Sequence, residues 1–162
     1  MAVDMFLKID GIPGESEDKK HSKEIDVLAW SWGLSQSGTM HVGGGGGAGK
    51  ANFQDLSITK WVDSATVPLL KACTNGQHIK KAELFVRKAG GKPLEYMVYT
   101  FEELLVSSVS QGGSGGEDRL TENVSLNFRS WHLKYTAQTA QGAEGDKFNF
   151  GHNIAKNEEY SV

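Results

Sequence analysis

Residues 37–50, SGTMHVGGGGGAGK, come closest to a chemical motif in this chain. Gly44, Gly49 and Lys50 satisfy G-x-x-x-x-G-K, the loop whose backbone amides cradle the phosphates of a nucleotide. The next residue is Ala51, where that loop needs a Ser or Thr hydroxyl for magnesium. A phosphate loop must also open a helix, because helix N-terminal amides and dipole hold the anion. Here Leu56 and Ile58 alternate with Asp55, Ser57 and Thr59, the two-residue period of a half-buried strand. The glycines therefore read as a long arm between two strands. Such an arm, Gly43, Gly44, Gly45, Gly46, Gly47, Ala48 and Gly49, is expected to reach a neighbouring molecule rather than a nucleotide.

No other residue set converges on an active site. His21, His41, His78, His132 and His152 show neither H-E-x-x-H nor H-x-H spacing, and exposed or interface positions are expected for them. Glu102 and Glu103 are adjacent, so a strand points them to opposite faces unless a bulge intervenes. Ser107, Ser108 and Ser110 lack a G-x-S-x-G elbow. Asn123-Val124-Ser125 matches a glycosylation acceptor, which only an exported chain would meet. Trp30 and Trp32 could stack on a sugar or base, but two tryptophans at i, i+2 in an apolar run suit a core better. The expectation is a protein with no catalytic residues, no cofactor and no metal.

The elements that would carry these residues are mostly strands. Val3, Met5, Leu7 and Ile9 alternate with polar positions. From Ile25 to Leu34 two faces interleave. Leu28, Trp30, Trp32 and Leu34 make a large apolar face, expected to be core. Val27, Ala29, Ser31 and Gly33 make a small one, suited to an interface or a lining surface. Ala82, Leu84 and Val86 form another strand. A longer one spans 94–109, with a bulge expected at Glu102-Glu103. Leu120, Glu122, Val124, Leu126 and Phe128 alternate with Asn123, Ser125, Asn127 and Arg129. A last strand is expected over 148–154. One segment reads as a helix, with Asp63 or Ser64 as N-cap, Pro68 in its first turn and Asn75-Gly76 as its left-handed stop. Many strands and one short helix predict a single domain over 1–162, an all-β sandwich or barrel.

Composition narrows the function classes. The 162 residues are 38% hydrophobic and 23% charged, which describes a globular chain rather than a disordered one. A net charge of −3 lacks the basic excess of a nucleic-acid binder. The single cysteine, Cys73, excludes an intrachain disulfide framework; it reads as a small buried apolar residue. The first residues, MAVDMFLKIDG, carry no basic n-region or apolar h-region of a Sec leader, and no stretch is long and apolar enough for a membrane helix. Synthesis in the cytoplasm, with any export by another route, is the expectation.

Several blocks together resemble the Hcp family, the haemolysin-coregulated proteins of bacterial type VI secretion. They are VDMFLKIDGIPGES, then IDVLAWSWGLSQSGTMHVGGGGGAGKANFQDLSITKWVD, then VSSVSQGGSGGEDRLTENVSLNF, and late in the chain FNFGHNI. The resemblance implies a two-sheet β-barrel with one short α-helix, shared with phage tail-tube proteins. It implies a homo-hexameric ring, and rings that stack into a hollow tube inside a contractile sheath, expelled with a spike protein. Small effector proteins would ride in the lumen, with neither nucleic acid nor membrane as partner. Ser31 looks like the family's lumen position, and residues 43–49 would contact a neighbouring subunit or ring. Some relatives carry a fused toxin domain; a chain ending at Val162 implies a tube-only role. A small-molecule-binding β-barrel is the alternative.

Overall fold

The computed structural model describes residues 2–41, 43, 47–88 and 92–162, with only the backbone of Ala48. Among them the chain forms β1 (Val3–Ile9), β2 (Ile25–Ser31), β3 (Leu34–Gly38), β4 (Ala48–Phe53), β5 (Leu56–Trp61), α1 (Thr66–Asn75), β6 (Ile79–Lys88), β7 (Leu94–Gln111), β8 (Thr121–Gln138), β9 (Glu144–Asn153) and β10 (Glu158–Glu159). The main sheet runs β10-β9-β8-β5-β2-β1-β6-β7, and β7 pairs back onto β8. That last pairing closes six strands into a barrel and removes their free edges. β9 and β10 extend the sheet beyond β8, whereas β3 and β4 form a separate two-stranded ribbon. The expected mainly-β barrel with one helix is therefore what folds.

Side chains fill the barrel. Leu7, Ile25, Leu56, Leu84, Phe101, Val124 and Leu126 are wholly shielded from solvent, and Ile58, Leu104 and Val106 nearly so. Leu69 and Ala72 of α1 join the same cluster, with the helix lying against β7. β8 is long because, besides pairing with β7 along one edge, it serves two partners in turn along the other. Its first half pairs with β5 from Leu126 to Thr121, and its second half pairs with β9 from Ser130 onward.

Bulges explain most departures from the alternating pattern. In β2, Val27 pairs with Lys60 and Ala29 with Thr59, so Leu28 is an extra residue. An inserted residue exchanges inward and outward faces. Val27 is consequently core and Leu28 is exposed, the reverse of the expected assignment. Trp30 and Trp32, beyond the bulge, pack against the core as expected, but Leu34 has left the barrel for the ribbon and is exposed. In β7 the bulge expected at Glu102-Glu103 is absent from the register. Glu103 adopts a left-handed φ of 53°, yet Glu102 and Leu104 stay in step with Ser130 and Phe128. The register shifts farther on, between Val106 and Ser108.

The helix begins at Thr66 with Ala65 in the cap position, not Asp63 or Ser64. Asp63 still assists, because its Oδ1 accepts the Ala65 amide at 2.9 Å while the Thr66 hydroxyl accepts the Asp63 amide at 3.0 Å. Gly76 supplies the left-handed stop, with φ 65°. Leu120 lies outside β8 and is exposed. The last long strand starts at Glu144 rather than 148, and a short β10 follows it. Cys73 is only half-buried. Two histidines are interior rather than exposed: His132, and His21, whose ring stacks on Phe6 at 4.5 Å between centroids.

Candidate functional site

A polar sheet face lies opposite the core on β2, β5, β8 and β7. Ser31 pairs with Ser57, Ser57 with Ser125, and Ser125 with Ser108, so four serines cross four strands in one row. Ser57 Oγ and Ser125 Oγ are 3.3 Å apart. The adjoining row is Ala29, Thr59, Asn123 and Ser110, in which the Thr59 hydroxyl donates to Asn123 Oδ1 at 2.7 Å. On the other side Asp55 accepts from Asn127 Nδ2 at 2.9 Å and from the Ser107 hydroxyl at 2.7 Å. Asp55 carries the one charge in this set, and two donors already engage it. The face is thus small and polar, with Ser57, Ser125, Thr59, Asn123 and Asp55 hydrogen-bonded among its own side chains. It offers a passing surface hydrogen bonds but little apolar area to stick to.

The structure brings Ser31 into this face, exposed and turned away from Trp30 and Trp32. The extra residue at Leu28 makes this possible. Without it, the phase that buries Val27 would bury Ser31 as well.

The glycine arm sits at the end of the β3–β4 ribbon. Thr39 and Gly47 close its described part, with the Thr39 amide donating to the Gly47 carbonyl at 3.2 Å and the Gly47 amide donating to Thr39 Oγ1 at 3.1 Å. Gly44, Gly45 and Gly46 lie outside the described residues. The other glycines differ in role. A Cβ at Gly49 would lie 2.4 Å from Ser37 Oγ and 2.9 Å from Ser37 O, so the ribbon needs glycine there. Gly43 and Gly47 border open space. Met40, beside the arm, is 81% exposed. Lys50 sits inside β4 and no helix follows it, so the phosphate-loop geometry is missing.

Sequence reasoning missed a groove of about 590 Å³ at the root of the ribbon. Leu34 and Phe53 form one wall and Trp131, Phe150 and His152 the other. Phe53 stacks on His152 at 5.4 Å, and Trp131 meets Phe150 edge-on at 5.7 Å. The Trp131 Nε1 donor is buried without a partner. The signal was present as Phe148 and Phe150 alternating with polar residues, but both are half-exposed, the mark of an apolar face awaiting cover.

A family model described as type VI secretion system effector, Hcp, matches residues 6–135, from within β1 into β8. The chain belongs to the Hcp family. The protein hcp1 of Pseudomonas aeruginosa is 60% identical over 159 residues, covering 97% of this chain and 98% of that protein. Among solved structures, a type six secretion system protein superposes with a TM-score of 0.93 at 34% identity, covering 98% of this chain and all of the other. The crystal structure of Hcp1 from Salmonella typhimurium gives 0.82 at 42% identity, covering 99% and 100%. As an Hcp protein, the chain is a component of type VI secretion with the β-barrel of that family. Its serine face and glycine ribbon are to be understood in that setting.

Proposed function

We propose that this Hcp protein is the tube subunit of a bacterial type VI secretion system. Six copies close into a ring, rings stack into a hollow tube, and small effector proteins travel in its lumen. The sheath and spike of the secretion machine are its other partners, and it leaves the cytoplasm with the tube rather than through Sec.

The observation that carries this reading is the serine face. A tube needs each subunit to turn one smooth, weakly binding surface to the channel, and Ser31, Ser57, Ser125 and Ser108 supply it. Two further surfaces suit contacts between copies. One is the arm of residues 43–49, whose open glycines permit close backbone approach. The other is the apolar groove at Phe53, Trp131 and Phe150. A projecting ribbon and a groove are different surfaces, so contacts using them are head-to-tail, the type that closes into rings or runs on as filaments. The alternative of a small-molecule-binding barrel draws no support from the interior, which is filled by Leu7, Leu56, Phe101 and their neighbours.

Native mass spectrometry at micromolar concentration tests the proposal. A species of six chains with no added mass is expected. A stable monomer overturns it.

A further inference from the structure

The connection between β1 and β2 carries a separate feature. It folds over the outward face of β1 and β6 and is fixed there by buried contacts. Asp18 receives Arg87 Nη2 at 2.7 Å and Arg87 Nη1 at 3.0 Å, as well as the amides of Lys20 and His21 at 3.0 and 3.1 Å. The Arg87 guanidinium holds the Asp18 carboxyl well below the usual carboxylate range, against the opposing effect of desolvation. His21 is clamped between Phe6 and Phe85, with Nδ1 2.9 Å from Glu24 and Nε2 against Glu95. Lys23 takes a left-handed φ of 64°, held by its amide to Ser16 O at 2.8 Å and by the Gly14 amide to its carbonyl at 2.7 Å.

This rigid loop and the end of β1 enclose a hollow of about 450 Å³. Lys8, Lys19, Lys20 and Lys23 line it, with Ile9, Ile12 and Pro13 beside them. Four of the chain's 17 lysines and arginines thus share one hollow in a protein of net charge −3. Among the described residues none of the four forms an ion pair. The one acidic residue lining the hollow, Glu24, is engaged by His21 through Oε2, while its Oε1 is buried without a hydrogen-bond partner. Gathering like charges costs energy unless an anion relieves it, and here the loop is held in place by contacts that use the backbones of Lys20 and Lys23 but none of the four lysine side chains.

We propose that this hollow binds a phosphorylated small molecule. The lysine ammonium groups would hold the phosphate, as point charges suited to several oxygens at once, and Ile9, Ile12 and Pro13 would meet the carbon body. Neither the serine face nor the ribbon contributes a residue to the site. The phosphate could belong to a soluble metabolite or to a lipid headgroup.

The test uses the full chain and calorimetric titration with pyrophosphate as the primary probe. Saturable binding is expected, weakening with added salt. The Lys19→Gln/Lys20→Gln/Lys23→Gln variant should bind at least about tenfold more weakly, since each charge-assisted contact contributes about a factor of ten or more. Its unfolding midpoint without ligand should be unchanged, because all three side chains are exposed. Lys71→Gln/Lys80→Gln, which removes exposed lysines elsewhere, should bind like the wild type. Titration with a sugar 1-phosphate and flotation with phosphatidylcholine vesicles, with and without phosphatidic acid, then assign the source: binding in either arm supports the site. Absence of saturable pyrophosphate binding overturns the proposal. So does an equal loss in the Lys71/Lys80 control, or oligonucleotide binding that the triple variant leaves intact while pyrophosphate binding is absent.

Discussion

Lys60 and Glu122 face each other across paired strands with neither side chain reached by solvent. Lys60 Nζ lies 2.5 Å from Glu122 Oε1, 2.9 Å from Asp63 Oδ1 and 2.8 Å from the Trp61 carbonyl. Glu122 is completed by the Thr66 hydroxyl at 2.8 Å and Gln111 Nε2 at 2.7 Å. The network joins β5, β7 and β8 to the first turn of α1, so a fully satisfied charge pair sets where the helix starts. Removing one partner should therefore be costly. Lys60→Met is expected to destabilise the fold by about 3–5 kcal/mol, because Glu122 is left charged and buried. The double variant Lys60→Met/Glu122→Leu should be closer to wild type than the sum of the single changes. Urea unfolding of the four proteins measures this; additive effects would refute coupling.

The same pair predicts acid sensitivity. Burial pushes the Glu122 carboxyl up, but hydrogen bonds from Lys60, Gln111 and Thr66 outweigh it and the net shift is downward. A carboxyl that titrates lower in the folded chain than in the unfolded one stabilises fully above its unfolded value, ordinarily 4.5. That contribution is lost as pH falls below 4.5 and through the folded value. Asp18, lowered in the same direction by Arg87, adds to the loss. Unfolding midpoints measured from pH 7 to pH 3 should fall on the acid side for the wild type. The Glu122→Gln variant should show a flatter acid limb.

Ser31 gives a test of the proposed channel surface. Its neighbours in the row are Ser57 and, beyond, Ser125, so a longer side chain has room on the exposed side. Ser31→Gln should leave the unfolding free energy within about 0.5 kcal/mol of wild type, as an exposed change does. It should also preserve ring size while weakening retention of a co-expressed small effector. Unchanged effector retention with intact rings would remove Ser31 from the client surface.

The ribbon can be shortened without touching the barrel, because β3 and β4 pair only with each other. Replacing residues 43–49 by Asn-Gly, a two-residue hairpin turn, should leave circular dichroism and the unfolding midpoint of the barrel intact. Ring stability or stacking, followed by ultracentrifugation and electron microscopy, should decline. Wild-type rings, tubes and secretion in the shortened variant would make the arm a plain connector.

Gly151 on β9 should tolerate nothing larger. A Cβ there would meet Tyr160 O at 2.5 Å and Trp131 O at 2.7 Å, both backbone atoms. Gly151→Ala is expected to loosen the chain end around Tyr160, whose amide donates to the Gly151 carbonyl at 2.9 Å. Faster amide exchange in residues 158–160 and around Trp131 of β8, with β1, β2, β5 and β6 unaffected, is the expected signature.

Local chemistry made much of this protein legible in the sequence alone. Period-two patterning announced the strands at Val3–Ile9, Leu56–Trp61 and Ile79–Lys88. Gly76 announced the end of the helix, because a left-handed stop is a property of one residue. Long blocks announced the Hcp family, and Ser31 could be placed on the small face of its strand. What the tertiary structure decided is everything that depends on a partner strand. The extra residue at Leu28 is visible only against Lys60 and Thr59, so the sequence pattern assigned Val27 and Leu28 to the wrong faces. Glu122 already fell in phase with Val124 and Leu126, but its partner Lys60 is visible only in the pairing of β5 with β8, which buries both. His21 reached the interior through Phe6, Phe85 and Glu95, which lie on three separate strands. Hydrophobic alternation reports which residues avoid water within one segment, whereas register, charge pairing and the hollow at Lys8 and Lys23 arise from contacts between segments distant in sequence.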